Sequence, residues 1–130
     1  MKFLIIAAVV VLGIGGLILI SPKSDDTKSS PSLTMQTVQR DTAAGGQLID
    51  VRTTAEYAAG HIDGAVNLPV ETIQAGAMPT VTKTKPVYLY CRSGSRSRQA
   101  TTVLQAAGYQ NVIDLGAMTH VQSIGGIIKK

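Results

Sequence analysis

The sequence is poor in the residues that most often mark metal centres, disulfide frameworks and aromatic cores. It contains one cysteine, no tryptophan, one phenylalanine and two histidines in 130 residues. A single cysteine cannot form an intrachain disulfide or build a cysteine-based zinc site, and the two histidines, His61 and His120, are far apart in the chain. The sequence therefore predicts no metal site and no cofactor, and any chemistry at Cys91 is that of one thiol.

Charged residues are also few, at 15% of the chain, and the formal net charge is only +4. So small a charge does not form the extended basic surface that nucleic-acid binding needs, and nucleic acid is not expected as a partner. The positive charge is nevertheless concentrated, because Arg92, Arg96 and Arg98 follow closely after Cys91. This cluster predicts a small anion as the partner.

An apolar run lies at the amino end, where residues 3–20 contain no charged side chain. As a helix this run would extend about 27 Å, close to the hydrocarbon thickness of a bilayer, about 30 Å. Lys2 precedes the run, and no small-x-small cleavage pattern follows it. We therefore expect residues 1–20 to be an uncleaved signal anchor, a transmembrane helix that places the rest of the chain outside the cytoplasm, in the periplasm. A cleaved and secreted form is the alternative.

The rest of the chain divides into a tether and one domain. Residues 21–32 contain two prolines and no large apolar side chain, a composition typical of a flexible linker. Residues 33–130 are numerous enough to bury one core, which must be built mainly from aliphatic side chains because tryptophan and phenylalanine are missing there.

Within residues 33–130, short β-like runs alternate with helix-like segments, which predicts an α/β domain with a mainly parallel central sheet flanked by helices. Glycines and prolines bound most of these segments. The predicted strands are 48–51, 64–68, 87–90 and 112–115, and the predicted helices are 53–59, 71–75 and 99–107. In the first of these helices, Thr53 and Glu56 have the spacing of a capping box. No periodicity is evident after Gly116.

The candidate site lies where the clearest strand ends, at Cys91. The end of a parallel strand is where open α/β sheets bind ligands, and the loop that follows Cys91 can direct several backbone N–H groups towards one point. The helix after the loop and the nearby arginines add positive charge, which favours the thiolate over the thiol. We therefore predict that Cys91 is a reactive thiolate near neutral pH.

Three stretches of this domain together resemble the rhodanese-like sulfurtransferases, especially their single-domain bacterial members. They are LIDVR at 48–52, GHIDGAVNLP at 60–69 and YCRSGSRS at 90–97. The resemblance implies a rhodanese-like fold and transfer of sulfane sulfur through a Cys91 persulfide. The implied donor is thiosulfate or a similar small anion, and the implied acceptor is cyanide or a thiol.

The resemblance also assigns roles to the residues around Cys91. Arg92, Ser93, Gly94, Ser95 and Arg96 are expected to bind the substrate, the first and last by attracting the anion and the loop through its backbone N–H groups. Asp50 and Arg52 are expected to support the site structurally, by pairing with charged neighbours such as Glu56 or a loop arginine. His61 is expected to be architectural, and His120 exposed.

One part of the family pattern is missing. Relatives often carry a paired glycine and a tryptophan where this chain has Gly116-Ala117-Met118, and its own paired glycine, Gly125-Gly126, lies further on. The resemblance therefore does not extend to the last helix, to one wall of the pocket or to substrate preference.

Two other functions are compatible with the same residues. A cysteine phosphatase or arsenate reductase is one, but its loop needs five residues between cysteine and arginine, and here that place falls on Ser97, with Arg96 one residue early. The other is a sulfur carrier or sulfide-sensing module that does not turn over.

Overall fold

The computed structural model describes residues 32–130, which is nearly the segment expected to form the domain. The expected anchor and all of the expected linker except Ser32 lie outside the described residues. Among residues 32–130, the structure contains no helix long and apolar enough to cross a membrane.

Helices and strands alternate along this part of the chain. In order they are α1 (Met35–Ala43), β1 (Gln47–Asp50), α2 (Thr54–Ala59), β2 (His61–Ile62), β3 (Val66–Asn67), α3 (Val70–Gln74), β4 (Val87–Cys91), α4 (Ser95–Ala106), β5 (Val112–Ala117), α5 (Met118–Ser123) and β6 (Ile128–Lys129).

Four strands form a parallel sheet in the order β3-β1-β4-β5. Every residue of the central strand β4 is buried, as expected for a strand covered on both faces. Asp50 is paired in register with Tyr90, so the carboxyl ends of β1 and β4 lie side by side. A second, two-stranded antiparallel sheet joins β2 to β6. The predicted α/β class, with a parallel sheet between helices, is confirmed.

The sheet separates two cores because side chains alternate across a strand. Leu89 and Cys91 of β4 face one core, which includes Ile49 of β1 and Leu104 of α4. Tyr88 and Tyr90 face the other core, together with residues of α1 and α5. Both cores are aliphatic with tyrosine as the aromatic component, as the composition predicts.

The boundaries of several elements differ from the sequence-based prediction. The predicted strand 64–68 shortens to Val66–Asn67, and the helix expected at 99–107 begins earlier, at Ser95. It begins earlier because Gly94 has a φ of 99°, which turns the chain directly from the loop into α4. The capping box between Thr53 and Glu56 is present as predicted.

Four elements were not predicted at all. The short strand β2 directly follows α2. The helix α1 precedes β1, and α5 and β6 occupy the segment after Gly116 that shows no clear periodicity. Both β6 residues are exposed, and the strand is held by backbone pairing with β2. Pairing of this kind depends on the distant strand, which local patterning cannot reveal.

Candidate active site

Cys91 ends β4 and lies inside a tight turn of the loop that follows it. The side chain is fully buried. The backbone N–H of Gly94 donates a hydrogen bond to Cys91 Sγ at 2.9 Å. The thiol in turn donates to Ser97 Oγ at 3.6 Å, and the Ser97 hydroxyl donates to the carbonyl oxygen of Gly94 at 3.1 Å. The loop therefore closes around one sulfur atom.

Two opposing effects act on the ionisation of Cys91. Burial raises the pKa of the thiol, since it disfavours the charged thiolate. Once Cys91 is ionised, hydrogen bonds to Sγ from the backbone N–H and the hydroxyl of Ser97 and from the backbone N–H groups of Gly94 and Ser93 favour the thiolate, and their lowering of the pKa outweighs the effect of burial. The net pKa of Cys91 lies below its usual value of 9.0, so the site favours the thiolate.

The loop is tied to α2 by an ion pair. Arg96 Nη1 donates to Glu56 Oε1 at 2.7 Å, and Arg96 Nη2 donates to Glu56 Oε2 at 3.0 Å. The Arg96 guanidinium lowers the pKa of Glu56 to about 2. The same carboxylate accepts hydrogen bonds from the backbone N–H and hydroxyl of Thr53, the N-cap of α2. A single carboxylate thus caps α2 and holds the Cys91 loop.

Asp50 and Arg52 pair with each other, not with Glu56 or a loop arginine. Arg52 Nη2 donates to Asp50 Oδ2 at 2.6 Å, and both side chains are almost fully buried. The same nitrogen donates to the carbonyl oxygen of Gly60 at 2.6 Å. The hydroxyl of Tyr90 also donates to Asp50 Oδ2, at 2.8 Å, and burial raises the pKa of Tyr90, which keeps that hydroxyl protonated. This network joins the ends of β1 and β4 beneath the loop.

The remaining predicted residues are three residues of the loop and the two histidines. The side chains of Arg92, Ser93 and Ser95 are exposed. His61 stacks on Tyr57 with ring centroids 3.8 Å apart and has Nδ1 at 3.0 Å from the Tyr57 carbonyl oxygen, an arrangement that suits an architectural role. His120 is exposed, as expected.

Sequence reasoning assigned no role to Ser97, although it lies in the quoted loop. The structure places it against the sulfur and fully buried. The sequence did contain a signal for this buried position, because a serine at the start of a helix that packs on a parallel sheet can point towards the sheet. The role of Tyr90 was missed as well, since a tyrosine in an apolar strand is equally compatible with simple packing.

A cleft of about 400 Å³ adjoins the loop. Arg52, Glu56, Arg92 and Lys130 contribute its charged side chains, and Ala59, Gly60, Met118 and Ile128 line the rest. The pocket wall to which the family resemblance does not extend thus includes Met118 of α5 and Ile128 of β6. A second, smaller cavity of about 220 Å³ lies beside β3 and is lined by residues outside the Cys91 loop.

Taken together, this arrangement can stabilise a thiolate, bind one further sulfur atom through converging N–H groups and present positive charge to an anion. These are the requirements of nucleophilic sulfur chemistry. The bidentate engagement of Arg96 by Glu56 leaves Arg92 as the loop arginine whose side chain is most open to a ligand.

The chain is similar to known proteins over most of its described length. It is 44% identical over 68 residues to a sulfurtransferase of Allochromatium vinosum, a match that covers 52% of this chain and 63% of that protein, which is less than two thirds of its length. It is 35% identical over 82 residues to the thiosulfate sulfurtransferase PspE of Escherichia coli, covering 61% of this chain and 68% of that protein.

A solved structure has the same fold. The structure described as a rhodanese with anions from E. coli superposes with a TM-score of 0.54 at 32% sequence identity, and the match covers 65% of this chain and 98% of the other. Residues 34–119 match the family described as the rhodanese-like domain. The chain therefore belongs to the rhodanese family, with sulfurtransferases among its relatives.

Proposed function

We propose that the protein is a sulfurtransferase that moves sulfane sulfur from thiosulfate, or a similar small anionic donor, to a thiol or cyanide acceptor through a persulfide on Cys91. The observation that carries this proposal is the hydrogen bond from the Gly94 N–H to Cys91 Sγ, within a loop whose hydrogen bonds lower the pKa of the thiol.

The first half-reaction loads the sulfur. The Cys91 thiolate attacks the outer sulfur of thiosulfate, a new S–S bond forms, and the S–S bond of thiosulfate breaks as sulfite leaves with the electron pair. The backbone N–H groups of Ser93 and Gly94 stabilise the negative charge on Sγ before attack, and the persulfide formed afterwards also carries a negative charge. Arg92 attracts the donor, whereas the charge of Arg96 is largely compensated by its ion pair with Glu56.

The second half-reaction releases the sulfur. An acceptor thiolate or cyanide attacks the outer sulfur of the persulfide, and Cys91 leaves as the thiolate. A low pKa suits both steps, because Cys91 is the nucleophile in the first and the leaving group in the second. Because the Cys91 side chain has no exposed surface, the groups around Sγ must move before either reactant can contact it.

The supporting residues preserve this geometry. The buried pair of Asp50 and Arg52, with the hydroxyl of Tyr90, fixes the ends of β1 and β4 from which the loop begins. We assign Asp50 and Arg52 this structural role.

Mass spectrometry of the purified protein before and after addition of thiosulfate tests the proposal. We expect Cys91 to gain the mass of one sulfur atom and to lose it when cyanide or a thiol is added. A thiosulfate-treated protein in which Cys91 carries no extra sulfur would refute the proposal.

A sulfur carrier that does not turn over is the second candidate, and the complete burial of Cys91 is the observation that favours it. A shielded persulfide can be stored until a partner opens the loop. Repeated release of sulfite and thiocyanate from one protein molecule distinguishes the enzyme, since a carrier stops after one sulfur.

We also propose that residues 1–20 anchor the protein in a membrane and that the rhodanese-like domain lies on the periplasmic side. This proposal rests on the uncharged run of residues 3–20, the preceding Lys2 and the missing cleavage pattern.

A further inference from the structure

The cleft beside the Cys91 loop is larger than cyanide or thiosulfate requires. Its volume of about 400 Å³ is within the range of sites that bind organic small molecules, about 300–1,000 Å³. It adjoins the loop because Arg92, the residue after Cys91, lines it. Glu56, which holds Arg96 of the loop, lines it as well.

Two of the four charged side chains that line the cleft are compensated by ion pairs. Arg52 is paired with Asp50, and Glu56 is paired with Arg96. The side chains of Arg92 and Lys130 form no ion pair within residues 32–130. The cleft therefore offers two cationic side chains that no acidic side chain of residues 32–130 pairs with, and it suits an anionic ligand.

The walls between these cations are apolar. Met118 comes from the start of α5, Ile128 from β6 and Ala59 from the end of α2. Ile128 is 41% exposed, so part of this apolar surface is open to solvent and available to a ligand. An anion such as thiosulfate, which has no hydrocarbon part, would leave these walls uncovered.

We propose that this cleft is the acceptor subsite and that it selects an organic thiol carrying a carboxylate at the end of a short hydrocarbon chain. The inference rests on the proposed sulfurtransferase function. The carboxylate lies between Arg92 and Lys130, the chain covers Met118 and Ile128, and the thiolate reaches the outer sulfur of the Cys91 persulfide.

The transfer itself needs no further reactant. The acceptor thiol first loses its proton to solvent. Its thiolate forms an S–S bond with the outer sulfur of the persulfide, the original S–S bond breaks, and Cys91 recovers the electron pair as a thiolate. The acceptor departs as a persulfide.

Two thiols that differ only in charge test the selection. The protein is loaded with thiosulfate, freed of excess donor and mixed with mercaptohexanoate, mercaptohexanol or cyanide, and the loss of the persulfide is followed by mass spectrometry. We expect mercaptohexanoate to have a KM about two- to fivefold lower than mercaptohexanol, the effect of a partly exposed charge pair.

Variants at two cleft residues outside the Cys91 loop should separate acceptor binding from donor chemistry. Lys130→Gln should remove much of the preference for mercaptohexanoate, and Ile128→Ser should raise the KM of both thiols. Loading by thiosulfate and release to cyanide should change less than transfer to the thiols in both variants. Lys85→Gln is the matched control, because Lys85 is an exposed lysine just before the amino end of β4, whereas Cys91 lies at the carboxyl end of that strand.

Equal KM values for the two thiols, or an equal loss of cyanide and thiol reactivity in Lys130→Gln, would overturn the inference. A binding measurement that involves no sulfur transfer distinguishes failure of the acceptor-subsite inference from failure of the proposed function. Hexanoate should bind the unloaded protein and shift the methyl NMR signals of Met118 and Ile128. Absence of hexanoate binding would contradict the acceptor subsite even if Cys91 forms a persulfide. Hexanoate binding without persulfide formation would contradict only the proposed function.

Discussion

The carboxylate of Glu56 accepts two hydrogen bonds from the guanidinium of Arg96, which lies 40 residues later in the chain. This pair connects the first turn of α2 to the loop that surrounds Cys91. Because Glu56 also completes the capping box of α2, the position of the loop depends on a helix cap outside it. The pair is partly exposed, with 27% and 30% of the two side chains accessible, so its contribution to stability is modest.

Replacing Glu56 with glutamine should lower the free energy of unfolding at pH 7 by about 1 kcal/mol, since it weakens both the cap and the ion pair. The pKa of Glu56 is lowered from 4.5 to about 2, so the ionised carboxylate stabilises the fold above pH 4.5. This stabilisation should disappear as the pH falls from 4.5 towards 2. Chemical denaturation of both proteins across this range measures the difference.

Asp63→Asn is the matched control for Glu56→Gln. Asp63 is paired with Lys129 at 3.8 Å on the exposed surface, so its loss should cost less than about 0.5 kcal/mol. A Glu56→Gln effect that persists unchanged at pH 2 would show that the ionised carboxylate is not its cause.

Replacing Ser97 with alanine should raise the pKa of Cys91, because the hydroxyl near Sγ is one of the groups that lower it. The rate of alkylation by iodoacetamide follows the thiolate fraction, so its midpoint should move to higher pH in Ser97→Ala. Ser93→Ala is the control for this measurement, since the exposed Ser93 acts on the thiol through its backbone N–H, which alanine keeps. An unchanged midpoint in Ser97→Ala would contradict the role of the hydroxyl.

Replacing Cys91 with serine should abolish sulfur transfer from thiosulfate to cyanide, because no other thiol exists in the chain. Circular dichroism should show a native fold, since serine is close in size to cysteine. Activity that survives in a folded Cys91→Ser protein would show that another group carries the sulfur.

Aryl phosphates should not be hydrolysed appreciably by the protein. A phosphate has three peripheral oxygens and requires a wide ring that an arginine closes with two hydrogen bonds. In this loop Arg96 is one residue too early for that position and already makes its two hydrogen bonds to Glu56. Sulfite should instead inhibit sulfur transfer competitively. Phosphatase turnover comparable with sulfur transfer would show that loop length does not discriminate between the two reactions.

Protease added to intact spheroplasts should remove the rhodanese-like domain and leave a small membrane-bound fragment. The expectation follows from the proposal that residues 1–20 are a membrane anchor, with the uncharged run 3–20 spanning the bilayer and Lys2 on the cytoplasmic side. Protection of the domain would indicate the opposite orientation. A soluble mature form that begins after Ser21 would indicate cleavage.

Much of the fold was predictable because its signals are local. The buried strand that ends at Cys91, the capping box of Thr53 and Glu56 and the glycine after α4 can each be recognised within a few residues of sequence. The start of α4 was misplaced because the serines and arginines of the loop have no apolar periodicity, while the positive φ of Gly94 is a property of the folded backbone.

The α/β class, the family resemblance and the position of the single thiol can be read from the amino-acid sequence, because they depend on residue identity and short-range spacing. The pairing of Glu56 with Arg96, 40 residues later, and the placement of Ile128 in the cleft beside Arg92 follow from the folded chain. Contacts between residues so far apart in sequence form only when strand order and register bring them together. In this protein the parallel pairing of β1 with β4 and the antiparallel pairing of β2 with β6 set the distances between them.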